Sequence, residues 1–443
     1  MFASIFFEFH LPNSTTWFYF ALLLSVALFY QFARPFSLRN WDLLALFVFV
    51  PGFLMLQEAN QYTGDDPAIA AGERVYGYAW LLAASAFWFV RCFLDLGAAR
   101  RPVFRSNLAV PGLALFGIVL FVFLAAVAVR RPLDAWEPVG KQSATIEGVT
   151  EGATAVVTTG QPVDAESHAF LRNWTVRGLA MIGHAAVVVG LFFVGWRHYR
   201  EVETGVAMAA LYLLLPYTAF HISQLHHVLP AALTIWAIFA YRHPRVAGWL
   251  LGLAAGATFF PALLFPLWLH FYWRRGAWRF TVGFFSALAV SLAVTLSLLW
   301  AAGFYPNGLS QQLHLADWQP WKRPFAESLW QGVHWAYRLP VFIVFAAFTF
   351  TSFFWPSVKT MAHVAAMSAA ILIGVQFWYA DRGGLYVLWY TPLLLLVVFR
   401  PTTSELEPPM PASGRGWGTR MAVGAFKRVW RQSPQNQPPA LAA

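Results

Sequence analysis

The chain predicts an all-α, polytopic integral membrane fold, and three observations carry that prediction. Hydrophobic residues make up 59% of the 443 residues and charged residues only 11%, against about 25% charged in soluble domains. Apolar segments of the length that a membrane helix needs, about 20 residues, recur from one end of the chain to the other. The Lys and Arg residues behind the net charge of +10 sit mainly in short loops between those segments, where they set orientation. The basic balance therefore does not point to nucleic acid. Cys92 is the sole cysteine and lies in an apolar segment, which excludes an intrachain disulfide and a cysteine-based metal motif.

Taken in order, spans are expected at residues 16–34, 40–57, 75–95, 108–129, 176–196, 204–221, 226–241, 279–302, 338–355, 360–379 and 384–399. The first runs on to Ala33 without a short apolar core and a small-residue cleavage site, so it reads as a span and not as a cleavable signal. Residues 246–273 form one apolar run flanked by Arg242-His243-Pro244-Arg245 and by Arg274-Arg275. Basic flanks at both ends mark one and the same side. About 28 residues cannot supply two full spans. Breaks at Gly252/Gly256 and Pro261/Pro266 allow two half-helices, a re-entrant hairpin bending near residues 259–261. The expectation is about eleven transmembrane helices plus this hairpin.

Connections alternate in charge. Arg34/Arg39, Arg100/Arg101/Arg105, Arg197/Arg200, Arg242/Arg245, Arg274/Arg275/Arg279 and Lys359 fall on one side, and Glu58, Asp65, Asp66 and Glu73 on the other. The positive-inside tendency then places the N-terminus outside and the C-terminus in the cytoplasm. Residues 1–400 form the transmembrane domain, with outer loops at 58–74, 130–175 and 303–337; residues 401–443 read as a disordered basic cytoplasmic tail. Within the tail, residues 421–431 are a basic amphipathic piece suited to anionic lipid. Loop 130–175 carries six acids against four Lys/Arg, and its Thr/Val-rich stretch 143–162 is compatible with a small β-hairpin or with disorder. Loop 303–337 holds Trp318, Trp321, Trp330 and Trp335 beside Asp317, Lys322, Arg323 and Glu327, which suits either a helix lying in the interface or an aromatic belt.

Three polar groups at the outer rim are candidates for chemistry, because ionisable residues at a membrane are costly. Asp65-Asp66, with Glu58 and Glu73 nearby, offer adjacent carboxylates for a general base or a weak divalent-metal site with water ligands; the alternative is an acidic loop that fixes topology. His221, Gln224, His226 and His227 lie in a seven-residue turn. They offer a hydrogen-bonding wall for a polar ligand, or are satisfied interfacial histidines; no zinc motif completes them. Arg382, beside Asp381 and ahead of Tyr386, Trp389 and Tyr390, either pairs with Asp381 or faces a phosphate. No phosphate loop, dinucleotide fingerprint, nucleophile elbow or internal repeat is present. No cofactor is implied, and no motif supports a metal.

The order His221-Ile222-Ser223-Gln224-Leu225-His226-His227-Val228-Leu229-Pro230, a span, Tyr241-Arg242-His243-Pro244-Arg245, Ala247-Gly248, Leu251-Gly252-Leu253-Ala254-Ala255, Pro261, Pro266 and Arg274-Arg275 resembles the central segment of the GT-C membrane glycosyltransferases. The likeness is nearest to glycosyltransferase family 87 and the polyprenyl-phosphate mannosyltransferase groups. Tyr386-Val387-Leu388-Trp389-Tyr390-Thr391-Pro392-Leu393 is similar to the aromatic-then-Pro final span of several such enzymes. Where those proteins often carry Asp after the Gln this chain has His226-His227, and where they carry Lys before the Pro it has Thr258-Phe259-Phe260.

The resemblance implies a hexosyltransferase of a bacterial-type inner membrane and cell envelope. It would move a sugar, mannose among the candidates, from a polyprenyl-phosphate donor to a lipid or glycan acceptor on the outer face. It casts Asp65 or Asp66 as catalytic base, although these acids follow the second span and the family's base usually follows the first. Lys322, Arg323 and Arg382 would hold the donor phosphate, Trp318 and Trp321 would stack on sugar, and the 221–227 turn would orient hydroxyls. The competing classes are a transporter or flippase for a lipid-linked substrate, since broken helices also mark transport sites, and a catalytically silent scaffold of an envelope complex.

Overall fold

The computed structural model describes residues 13–62, 66–97, 105–130, 144–158, 164–301, 320, 321, 323 and 327–400. Among these every regular element is a helix, and seven helices are long and apolar enough to cross a membrane.

The first, α1 (Ser14–Phe29), starts where the Asn13 side chain accepts from the Thr16 N–H at 2.7 Å. Two helices, α2 (Leu38–Ala45) and α3 (Val50–Tyr62), make one rod tightened at residues 46–49 by bonds to carbonyls three residues back. Trp80 and Trp88 of α4 (Pro67–Gly97) reach into that irregular stretch and donate to the Val48 and Ala45 carbonyls at 2.6 and 3.1 Å. The span expected at 40–57 is thus longer and interrupted. Only 22% of the apolar window of α5 (Val110–Arg130) is buried, against 89% for α15 (Met361–Trp378). So wide an exposed apolar face needs a covering, which places α5 at the lipid boundary and α15 at the centre.

Residues expected to form a β-hairpin or disorder within 143–162 instead form α6 (Ala144–Val157). The hydroxyls of Thr150 and Thr154 donate to carbonyls four residues back at 2.9 and 2.8 Å, and the helix packs on α7 (Ala165–Arg197) and α13 (Ala277–Ala301). β-branched composition pointed to a strand; tertiary packing overrode it. In α8 (Val202–Leu214) the residue before Pro216 turns extended, Leu215 at φ −61°, ψ 126°, and α9 (Pro216–Phe220) follows. Pro216 has no N–H for the Tyr212 carbonyl, and the Thr218 hydroxyl donates there at 2.7 Å. The span expected at 204–221 is therefore two pieces, after which α10 (Leu225–Phe239) returns.

Residues 244–271 form a helical hairpin. α11 (Pro244–Ala257) ends at extended Thr258, a 3₁₀ turn runs Phe260–Leu264, and α12 (Phe265–Phe271) leads back. Both ends meet: the Tyr272 hydroxyl donates to the Tyr241 carbonyl at 2.6 Å. The stripe Gly248/Gly252/Gly256 lets α11 lie parallel to α13. A Cβ at these positions would come within 2.2, 2.3 and 2.3 Å of Phe280 O, Phe284 O and Ser291, the small-residue approach common between apolar helices. At 14 residues α11 is about 21 Å long, short of a hydrocarbon core of about 30 Å.

Residues 327–337 hold turns and a 3₁₀ turn at Trp335–Tyr337, with no α-helix; most of the 303–337 loop, read as an interfacial helix or an aromatic belt, lies outside the described residues, as does the tail. After α14 (Arg338–Phe354) and α15, residues 379–390 fold inward before α16 (Thr391–Phe399), so the last helix begins later than residue 384.

Two ends of the bundle differ in charge. At the basic end Arg91 grips Asp42 with two bonds of 2.6 Å, and Asp95 draws in Arg91 at 3.4 Å and Arg400 at 3.1 Å. Arg39 bonds the Phe29 carbonyl at 3.1 Å and the Arg105 carbonyl. At the opposite end lie the α3–α4 turn, the 221–224 turn, the hairpin bend and residues 379–390.

Candidate functional site

The α9–α10 turn is compact. His221 caps α9, and its Nδ1 lies 2.5 Å from Gln224 Oε1. That oxygen only accepts, so Nδ1 donates. His221 and His227 are fully buried while Gln224 and His226 are half-buried, so the turn has an inner and an outer layer. The imidazole centroids of His227 stand 4.0 Å from His221 and 4.2 Å from His226.

Aromatic rings extend this stack in both directions. On one side Phe53 of α3 meets His221 at 5.4 Å. On the other, His227 stacks on Tyr386 at 5.3 Å, and Tyr386 on Trp389 at 4.2 Å. Phe260, at the hairpin bend, closes on Trp389 at 4.8 Å and Tyr379 at 4.7 Å. The Trp389 indole donates to the His226 carbonyl at 3.1 Å. Gln376 shapes the 379–390 loop by accepting from the Gly384 N–H at 2.9 Å. Gly384 sits at φ 105°, a conformation that favours glycine. Hairpin bend, histidine turn and final loop thus form one imidazole–aromatic wall.

Sequence reading singled out the histidines and the Tyr386/Trp389 stretch as separate groups; the structure joins them. It missed Phe53, which carries no signal beyond being apolar. It also missed the pairing of Glu327 with Arg74 at 3.0 Å, since the two residues are far apart in the chain. The Arg382 N–H donates to the Glu327 carbonyl at 3.2 Å, bringing the Arg74–Glu327 pair to the final loop.

The acidic candidates lie elsewhere. Asp65, Trp318 and Lys322 fall outside the described residues, and Trp321 and Arg323 are exposed. Asp66 caps α4, its Oδ1 accepting from Ala68 and Ile69 N–H at 3.1 and 3.2 Å. Gly384 packs at the level of Leu81, fifteen residues along α4 from Asp66, which at 1.5 Å per residue is about 20 Å. Asp66 therefore stands about 20 Å along α4 from the level of the imidazole–aromatic wall, and the Arg74–Glu327 pair lies between. A single sugar cannot span both levels, so Asp66 can act as base only on a hydroxyl held at its own level and not on one held against the histidine turn.

Among the described residues no group of three or more His, Cys, Asp or Glu is placed to hold a metal ion. Compared with family models, curated proteins and solved structures, the chain matches none.

Proposed function

We propose that this chain is a GT-C-like membrane glycosyltransferase whose site lies at the acidic end of the bundle. On this reading eleven passes and one re-entrant hairpin span a bacterial-type inner membrane, with the acidic end outward and the C-terminus cytoplasmic. The observation that carries the reading is the convergence of the hairpin bend, the 221–227 turn and the 379–390 loop on one imidazole–aromatic wall. The half-buried rings of Tyr379 and Tyr386 suit the C–H faces of an acceptor glycan's far end, and Gln224 and His226 at the outer layer suit its hydroxyls. Arg382 and Arg323 would hold the phosphate of a polyprenyl-phosphate donor.

In the reaction the acceptor hydroxyl attacks the anomeric carbon and forms the new glycosidic bond. The bond from that carbon to the phosphate oxygen breaks, polyprenyl phosphate leaves with the electron pair, and Asp65 or Asp66 takes the hydroxyl proton. The test is transfer of labelled mannose or glucose from polyprenyl-phosphate donors by the full chain in detergent. Asp65→Asn/Asp66→Asn should lower turnover by roughly 10²–10⁴ with folding intact, whereas Gln224→Ala and His226→Ala should raise KM. Full activity in the double variant removes these acids from the mechanism.

A flippase for lipid-linked substrates is the second reading. It is favoured by His184 of α7, fully buried and 2.9 Å from the Tyr212 hydroxyl of α8, a polar pair within apolar helices of the kind that lines transport paths. Movement of a fluorescent polyprenyl-phosphate sugar across proteoliposomes without transfer would favour it.

A further inference from the structure

At the basic end, opposite the histidine turn, a cleft of about 430 Å³ is lined by Arg242, His243, Pro244, Arg245, Val246 and Arg279. Its cations come from two elements that cannot separate. Arg245 lies in the first turn of α11 and Arg279 in the first turn of α13. Those helices touch backbone to backbone: a Cβ on Gly283 would sit 2.2 Å from the Arg245 carbonyl, and one on Gly248 2.2 Å from the Phe280 carbonyl. Arg242 is held over the Tyr241 ring at 5.7 Å and bonds its hydroxyl at 3.2 Å.

Arg91 and Arg400, at the same end, are neutralised by Asp42 and Asp95. Among the described residues Arg242, Arg245 and Arg279 make no ion pair. Three guanidiniums fixed around one cleft repel one another unless an anion enters.

The cleft continues into an apolar strip running toward the middle of the bundle. Val246, Trp249, Trp278, Val282 and Phe285 are 48%, 43%, 56%, 36% and 51% exposed. Trp249 is one turn beyond Arg245 on the same face of α11, and Val282 and Phe285 step along α13 from Trp278 and Arg279. Cations above and exposed apolar side chains directly below match a molecule with a phosphate head and acyl tails. A soluble phosphate would need no strip.

We propose that this cleft is a specific binding site for an anionic phospholipid, its headgroup phosphates held by Arg242, Arg245 and Arg279 and its acyl chains lying along Trp249, Val282 and Phe285. The site is separate from sugar transfer and rests only on the basic end meeting a layer of lipid headgroups. Arginine serves here because its planar donor fork matches phosphate oxygens, and basic clefts between membrane helices take such headgroups.

The experiment is native mass spectrometry of the full-length protein in detergent, titrated with cardiolipin, phosphatidylglycerol or phosphatidylcholine. Cardiolipin and phosphatidylglycerol should bind at least tenfold more tightly than phosphatidylcholine. Arg245→Gln/Arg279→Gln should lose about tenfold of that preference, and Trp249→Ala/Phe285→Ala should shorten lipid retention. Arg34→Gln/Arg197→Gln removes the same charge at the same end outside the cleft and should change little. Equal losses in both arginine pairs would reduce the effect to general surface charge and overturn the site. Displacement of bound lipid by equimolar inorganic phosphate would overturn the lipid assignment in favour of a free-phosphate site.

Discussion

Lys359 lies in the loop between α14 and α15, 4% exposed, with its Nζ bonded to His270 Nδ1 at 2.8 Å and to the carbonyls of Pro356 and Phe353 at 2.9 and 3.1 Å. Burial pushes its ammonium down from the ordinary 10.5 to about 8. Between those values the unfolded chain binds more protons than the folded one, so this residue makes stability rise with pH through that window and weakens the fold below it. The apparent unfolding midpoint in detergent, followed from pH 7 to pH 10.5, should therefore rise in the wild type relative to Lys359→Met; parallel curves would show that the group does not titrate there. Thr218 is a second residue with one clear task, since its hydroxyl occupies the Tyr212 carbonyl that Pro216 cannot. Thr218→Val keeps the shape and leaves a buried acceptor unmet, at a cost of about 1–3 kcal/mol. Equal unfolding midpoints for Thr218→Val and the wild type would show that the carbonyl finds another donor.

Elements were legible where a single physical cause set them. Long apolar runs with charged ends gave α4, α5, α7, α13, α14 and α15 within a few residues at their C-terminal ends, because such runs have no other stable state in a membrane. The hairpin at 244–271 was legible from its Gly/Pro breaks and its two basic flanks. Breaks that depend on neighbours were not. The interruption at 46–49 is supported by Trp80 and Trp88 from another helix, and α6 owes its helical state to α7 and α13 and not to its Thr/Val composition. The glycine stripe on α11 can be tested directly. Gly252→Val forces a side chain toward the Phe284 carbonyl, where even a Cβ would stand 2.3 Å away, and should cost at least about 1–3 kcal/mol by overpacking. Gly72→Ala on α4 has nothing within 4 Å, so it should be neutral or slightly stabilising. The contrast between the two unfolding midpoints separates helix contact from loss of glycine as such.

At the scale of the whole molecule, charge alternation along the sequence said nothing of depth. Asp66 and the 221–227 turn share an end, yet about 20 Å of α4 separates their levels. The reason is that α4 has 31 residues while the break at Leu215 and the inward fold of 379–390 leave the histidine turn and final loop recessed. Helix length beyond the apolar run depends on what caps and covers the ends, and hydropathy does not record it. Which end faces outward remains a matter of the positive-inside tendency, and it can be read from single cysteines. Cys92 is buried and is replaced by Ala to give a silent background. Phe36 and Arg274 are exposed at the basic end, and Val156 and Gln331 are exposed on helix α6 and on the 327–337 segment that pairs with Arg74. With a membrane-impermeant maleimide applied to intact cells, Val156→Cys and Gln331→Cys should label, and Phe36→Cys and Arg274→Cys should label only after the membrane is opened. Arg274 carries the decisive weight, because a hairpin at 244–271 keeps it on the side of Phe36 whereas a single tilted span there would move it across. Labelling of Arg274→Cys together with Val156→Cys in intact cells, with Phe36→Cys protected, would therefore discard the re-entrant hairpin and reverse the orientation of everything from α13 to α16.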